Sequence, residues 1–214
     1  MMKKTRKNNF FGSGTGNEVP NSFYSTFKNI FYGFMGAEKV INFWDLPVTT
    51  RFELESIFRQ KLFSAASNGN NHELASKLGV SYPFISPLRN GTYSISLKTL
   101  CKLSALSGID YQEIQKNISL TKTRHGIGTR ISYPIISNPL IAALVGHSFG
   151  DGYIPAKKRQ FEYINFDNGL LSTVEKKVEN IFGIKPISRK ENSLVFPSIV
   201  GDLWVLKGVK HLNA

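Results

Sequence analysis

The chain has 214 residues, with 27 Lys and Arg against 15 Asp and Glu, for a formal net charge of +12. That length makes one large domain or two small ones, the 41% hydrophobic content fits a folded chain, and the charge points to a polyanionic partner. A single cysteine, Cys101, excludes an intramolecular disulfide and a cysteine-based zinc cluster, while no apolar run reaches the ~18 residues of a membrane span and no apolar stretch follows the basic start as in a secretory signal, so the expectation is a soluble, intracellular protein with no membrane partner.

Residues 1–50 form a lead without an assigned role. In FGSGTGNEVP, Gly12, Gly14 and Gly16 alternate with Ser13 and Thr15 and no apolar period appears, so this part reads as disordered. Phe23, Phe27, Phe31 and Phe34 then fall at helical spacing, which predicts a short amphipathic helix in need of a partner surface. From Phe52 onward, Leu54, Ile57, Phe58, Leu62 and Ala65 share one helix face, ended by Asn68-Gly69-Asn70. A short helix over 72–78 closes on Gly79, and Ser81 is the expected N-cap of a third that ends near Arg89. After the turn Asn90-Gly91, Ser96 caps a fourth helix carrying Leu97, Leu100, Leu103 and Leu106, and Gly108 stops it. Asp110 caps a fifth that runs through Lys116. Residues 51–117 are thus expected to form an all-α domain.

Residues 118–138, with Lys122, Arg124 and Arg130 and no acid, read as a basic linker. The texture changes after Asn138-Pro139. A helix from Leu140 to Gly150 is followed by Gly-Asp-Gly and a short strand near Tyr153. A strand over 160–166 comes next, with Phe161, Tyr163 and Asn165 on one face. Leu171, Val174, Val178, Ile181 and Phe182 line a helix that Gly183 caps, and short strands over 185–189 and 194–196 precede a helix near 199–206. Residues 139–214 therefore predict an αββαββα unit, so the fold class is α+β.

The run Glu73-Leu74-Ala75, Leu78-Gly79-Val80-Ser81, Ile85-Ser86, Arg89-x-Gly91 and Leu97-x-x-Leu100 resembles the Cro/phage-repressor type of helix-turn-helix over roughly residues 54–117. Ala75 is small where two helices cross, Gly79 permits the tight turn, and Val80 and Ile85 plug the space between the helices. The resemblance implies a third helix whose N-terminal residues enter a major groove, with Tyr82, Pro83, Ser86 and Arg89 as DNA contacts. Pro83 suits a first helical turn, but Pro87 should shorten or distort this helix. Between Leu74 and Gly150 the acids are Asp110 and Glu113. They face Lys77, Arg89, Lys98, Lys102, Lys116, Lys122, Arg124 and Arg130, a balance suited to phosphate through counterion release.

The stretch LVGHSFGDG at 144–152 divides in two ways. Gly146-His147-Ser148-Phe149-Gly150 is a G-x-S-x-G, which would make Ser148 a hydrolase nucleophile, with Asp167 or Asp202 and then His211 after it in triad order. Against this, Asp151-Gly152-Tyr153-Ile154-Pro155 is a poor helix start for a nucleophile elbow. The whole nine-residue run instead resembles the LAGLIDADG motif of homing endonucleases, and the likeness extends over roughly 138–208. The resemblance implies metal-dependent cutting of double-stranded DNA. Asp151 would be the catalytic residue and metal ligand, and the Gly150 carbonyl a second ligand to Mg²⁺ or another divalent cation. Gly146 and Gly150, four apart, allow two such helices to pack backbone to backbone, which implies a homodimer through the helix from Leu140 to Gly150. His147, Ser148 and Phe149 depart from the family's Leu-Ile-Asp, and the earlier acid is lost to Phe149. No second motif follows, so either two chains pair or the unit is truncated. The expected function is a DNA-associated, site-specific endonuclease acting as a homodimer. The alternative is a transcription regulator, or an inactive remnant that binds DNA without cutting it.

Overall fold

A computed structural model describes residues 40–136, 138–155 and 160–206. The aromatics expected to form a helix at Phe23, Phe27, Phe31 and Phe34 lie outside the described residues, as does His211. The described residues belong to one unit, spanning Glu38–Ala214, that mixes helices with two small antiparallel sheets. None of its described helices is long and apolar enough to cross a membrane.

The first half runs β1 (Arg51–Leu54), α1 (Ser56–Ser67), α2 (Asn71–Leu78), a 3-10 turn (Tyr82–Phe84) leading into α3 (Ile85–Asn90), β2 (Ile95–Ser96), α4 (Leu97–Ser107), α5 (Tyr111–Lys116) and β3 (Ile118–Lys122). Local chemistry sets these boundaries. The Asn70 side chain accepts from the backbone N–H groups of His72 and Glu73, Ser96 from Thr99, and Asp110 from Glu113, so the orphan donors of three helix starts are satisfied. Gly79 ends α2 with φ at 72°, a left-handed conformation that suits glycine. Ser81 makes no side-chain cap bond, contrary to its expected role. Pro87 explains the irregular start. An α-helix from Tyr82 would need the Pro87 N–H to reach the Pro83 carbonyl, and proline has none. The first turn tightens instead, with Phe84 N donating to the Ser81 carbonyl at 2.9 Å.

The all-α expectation for this half is corrected. β1 sits at the centre of a three-stranded sheet of order β2-β1-β3. Arg51-Phe52-Glu53-Leu54 alternates, with Phe52 and Leu54 buried and their neighbours half-exposed, which is the period of a strand. Four residues of period 2 merged with the helical pattern that follows. The helix face is therefore shifted. α1 buries Phe58, Arg59, Leu62, Phe63 and Ala66, while Ile57 is 86% exposed. β3 occupies the start of the stretch read as a linker and pairs with β1 through Phe52↔Thr121 and Arg51↔Lys122. The end of the lead also joins this core. Phe43 is fully buried, with its ring edge-on to Phe52 at 5.5 Å, and Ile41 bridges to Ile135.

The second half runs α6 (Pro139–Asp151), β4 (Gly152–Tyr153), β5 (Glu162–Ile164), α7 (Asn168–Phe182), β6 (Ser188–Arg189), β7 (Ser193–Val195) and α8 (Ser198–Leu206). Asn138 caps α6 through Ile141 N at 2.9 Å, with Pro139 in the first turn, and Asp167 caps α7. The strands form an antiparallel sheet of order β4-β5-β7-β6. Tyr163 pairs with Leu194 and both are fully buried, whereas Ile164 on the other face is 42% exposed. One face of the sheet thus belongs to the core. Trp204 of α8 lies at the centre of that core, with Phe161 and Phe182 each at 5.5 Å.

Candidate functional site

The exit of α6 concentrates chemistry because the chain turns there from helix into strand without a spacer. Gly152 makes this possible. A Cβ at that position would strike the Ser148 carbonyl and lie 2.7 Å from the Phe161 ring and 2.8 Å from the Ser148 Cα. Asp151 immediately before it is the last residue of α6, not the first beyond it, and it is exposed. Its Oδ2 accepts from Asn165 Nδ2 at 2.8 Å and from the Tyr163 hydroxyl at 3.2 Å. Burial, and then the bond to the Asp151 carboxylate, push the Tyr163 phenol up to about 12, so it stays a donor at neutral pH.

One turn earlier on the helix, His147 Nε2 lies 3.4 Å from Lys177 Nζ of α7. Burial chiefly, and the Lys177 charge next, lower the His147 pKa, while the Asp151 carboxylate opposes them; the ring is largely neutral at pH 7. The structure thus brings Asp151 together with His147, Tyr163, Asn165 and Lys177. Of these the sequence placed Tyr163 and Asn165 on one strand face but could not aim that face at Asp151. Lys177 carried no signal, being one basic residue on an amphipathic helix.

Ser148 is removed as a nucleophile. It is 2% exposed, its Oγ donates to the Leu144 carbonyl at 2.8 Å, and it accepts from the Trp204 indole N–H at 2.6 Å. Gly146 and Gly150 lie on a different face of α6, where a Cβ at either would meet nothing within 4 Å. Leu140 and Phe149 are exposed on the same helix, at 54% and 42%. α6 therefore buries Ile141, Leu144, Val145 and Ser148 and leaves open a surface on which Gly146 and Gly150 stand alongside the larger Leu140 and Phe149.

The expected DNA contacts separate into groups. Tyr82 is exposed and stacks on the His72 ring at 3.7 Å, with the planes 1° from parallel. Pro83 and Ser86 are exposed, and the Ser86 Oγ accepts from Asn90 Nδ2 at 3.3 Å. Arg89 is engaged inside the protein. It is half-buried, donates to Asn71 Oδ1 at 2.8 Å, and its guanidinium sits 6.0 Å from the centre of the Phe63 ring. It ties α3 to α2, whereas the sequence reading sent it outward to a base or phosphate. Lys122 is likewise taken, in a half-buried pair with Glu53 at 2.9 Å. Arg124 and Arg130 are exposed, Arg124 in the loop between the paired residues Thr121 and Thr129. Two exposed aromatics, Phe84 and Tyr93, were missed. Their signal was an aromatic on either side of α3 with no apolar period to bury it.

No protein-family model matches the chain, and neither a curated protein nor a solved structure gives a significant match.

The Asp151 carboxylate is of the kind that holds a hard divalent cation. Among the described residues no three His, Cys, Asp or Glu side chains converge.

Proposed function

We propose that this chain binds double-stranded DNA and cuts it site-specifically as a homodimer of LAGLIDADG type, with a helix-turn-helix module that adds DNA contacts. The observation that carries the reading is the end of α6. One helix presents an open Gly146/Gly150 face and terminates in the exposed carboxylate of Asp151. Two such helices packed on that face bring two Asp151 carboxylates, with the Gly150 carbonyls, to one axis, where they would hold Mg²⁺ or another divalent cation. When bound, the cation neutralises phosphate charge and activates water. The element order α-β-β-α-β-β-α and the sheet order β4-β5-β7-β6 support the reading, as does the net charge of +12.

The chain's own residues have defined work in this scheme. The Tyr163 hydroxyl and Asn165 amide hold the Asp151 carboxylate by one oxygen and fix its direction. Lys177, whose Nζ lies 3.4 Å from His147 Nε2, stands near the same helix end, where a phosphate would lie. Tyr82, Pro83, Ser86, Arg124 and Arg130 would contact the duplex elsewhere.

A second reading has its own observation. Tyr163 and Asn165 already bond Asp151, so the carboxylate also serves as a strut between α6 and β5. A DNA-binding regulator that keeps the fold without cleavage would use it only so. Duplexes selected from a random pool by the wild-type chain, cloned into supercoiled plasmid, separate the two. The nuclease reading expects linear product with Mg²⁺, none with chelator, and at least about a hundredfold less with Asp151→Asn. Specific binding without cutting would favour the regulator, and absence of duplex binding would overturn both.

A further inference from the structure

A cleft of ≈ 580 Å³ opens in the first half between the exit of α2 and the loop that follows α3, a size within the roughly 300–1,000 Å³ of small-ligand sites. Val80, Leu88 and Thr99 are among the residues that line it, and Phe84 and Tyr93 stand at its edge. These two rings are 49% and 46% exposed, their centres 5.9 Å apart and their planes tilted by 37°. They touch each other, so together they make one aromatic wall and leave no slot between them. Arg51 also lines the cleft, and its guanidinium donates to the Ser94 carbonyl at 3.3 Å. No ion pair among the described residues engages Arg51, although Lys61, Lys77 and Lys122 in this half are each paired with a glutamate. Among the described residues no aspartate or glutamate lines the cleft.

Two demands meet in this space. An exposed aromatic wall favours a flat ring laid against it, as bases stack on aromatic side chains in single-strand binding sites. A guanidinium without a carboxylate partner favours a phosphate, which it can grip through two N–H groups. We propose that the cleft binds a nucleotide, its base against the Phe84–Tyr93 wall and its phosphate on Arg51. The nucleotide is either free or one unpaired unit of a strand. This assignment goes beyond the cutting of duplex DNA and does not depend on Asp151.

Calorimetric titration of the full chain with thymidine monophosphate, thymidine and inorganic phosphate tests the pairing of base and phosphate. Anisotropy with an oligothymidylate of about twelve nucleotides tests the source. The monophosphate should bind one per chain, with thymidine and phosphate each at least about tenfold weaker. Tyr93→Ser and Arg51→Gln should each weaken the monophosphate about tenfold, while thermal melts verify that both remain folded. An oligonucleotide tighter than the monophosphate assigns the site to an unpaired strand, and equal or weaker binding assigns it to the free nucleotide. If neither binds, if phosphate alone binds as well as the nucleotide, or if both folded variants bind like wild type, the proposal falls. Because these readouts involve no duplex and no cleavage, they separate from the outcome at Asp151.

Discussion

Ser148 and Asp151 stand three residues apart on one helix and have opposite fates. Ser148 points inward, where its hydroxyl links the α6 backbone to the indole of Trp204. Removing it leaves the Trp204 N–H buried without its acceptor, a loss of about 1–3 kcal/mol. Ser148→Ala should therefore lower the melting temperature by roughly 2–4 °C for each kcal/mol lost, with DNA binding unchanged below the melt. Loss of DNA binding in a variant that remains folded would return Ser148 to the functional site. The G-x-S-x-G pattern could not show this, because a pattern of residue types does not say which face of the helix is inward. Arg89 teaches the same lesson in reverse. Its spacing from Gly79 matched an outward contact, but the nearby Asn71 and Phe63 hold it in. Those partners lie 18 residues or more away in the chain, so no local window contained them.

At the scale of elements, legibility followed the range of the forces. Helices set by local caps and terminal glycines, such as α2, α4, α5 and α7, were readable because Gly79, Ser96, Asp110 and Gly183 act within one turn of themselves. β1 and β3 were not, since their pairing joins Arg51 to Lys122 across the whole helical segment between them. The glycines of α6 divide by the same reasoning. Gly152 is a packing necessity and Gly146 an open position. Gly152→Ala should destabilise the fold by about 1–3 kcal/mol, because the clash includes backbone atoms that cannot yield. Gly146→Leu should leave the fold of the single chain intact, read as an unchanged circular-dichroism spectrum, since a better helix former replaces glycine in open space. In sedimentation velocity, however, Gly146→Leu should shift the chain from dimer toward monomer. A Gly146→Leu chain that associates like wild type would remove α6 as the dimer surface.

For the whole molecule, the proposed function requires each chain to hold half of a catalytic site, with α6 bringing the halves together. The charge of +12 would favour attraction to DNA without accounting for cutting, and one Asp151 per chain would allow cutting only in pairs. The most direct test mixes wild-type and Asp151→Asn chains, allows them to exchange, and measures double-strand cleavage of the selected site at constant total protein. With two carboxylates required per double cut, the rate should fall as the square of the wild-type fraction, to about one quarter at an equal mixture. A rate that falls in simple proportion to the wild-type fraction, or one that Asp151→Asn leaves unaltered, would contradict the paired site.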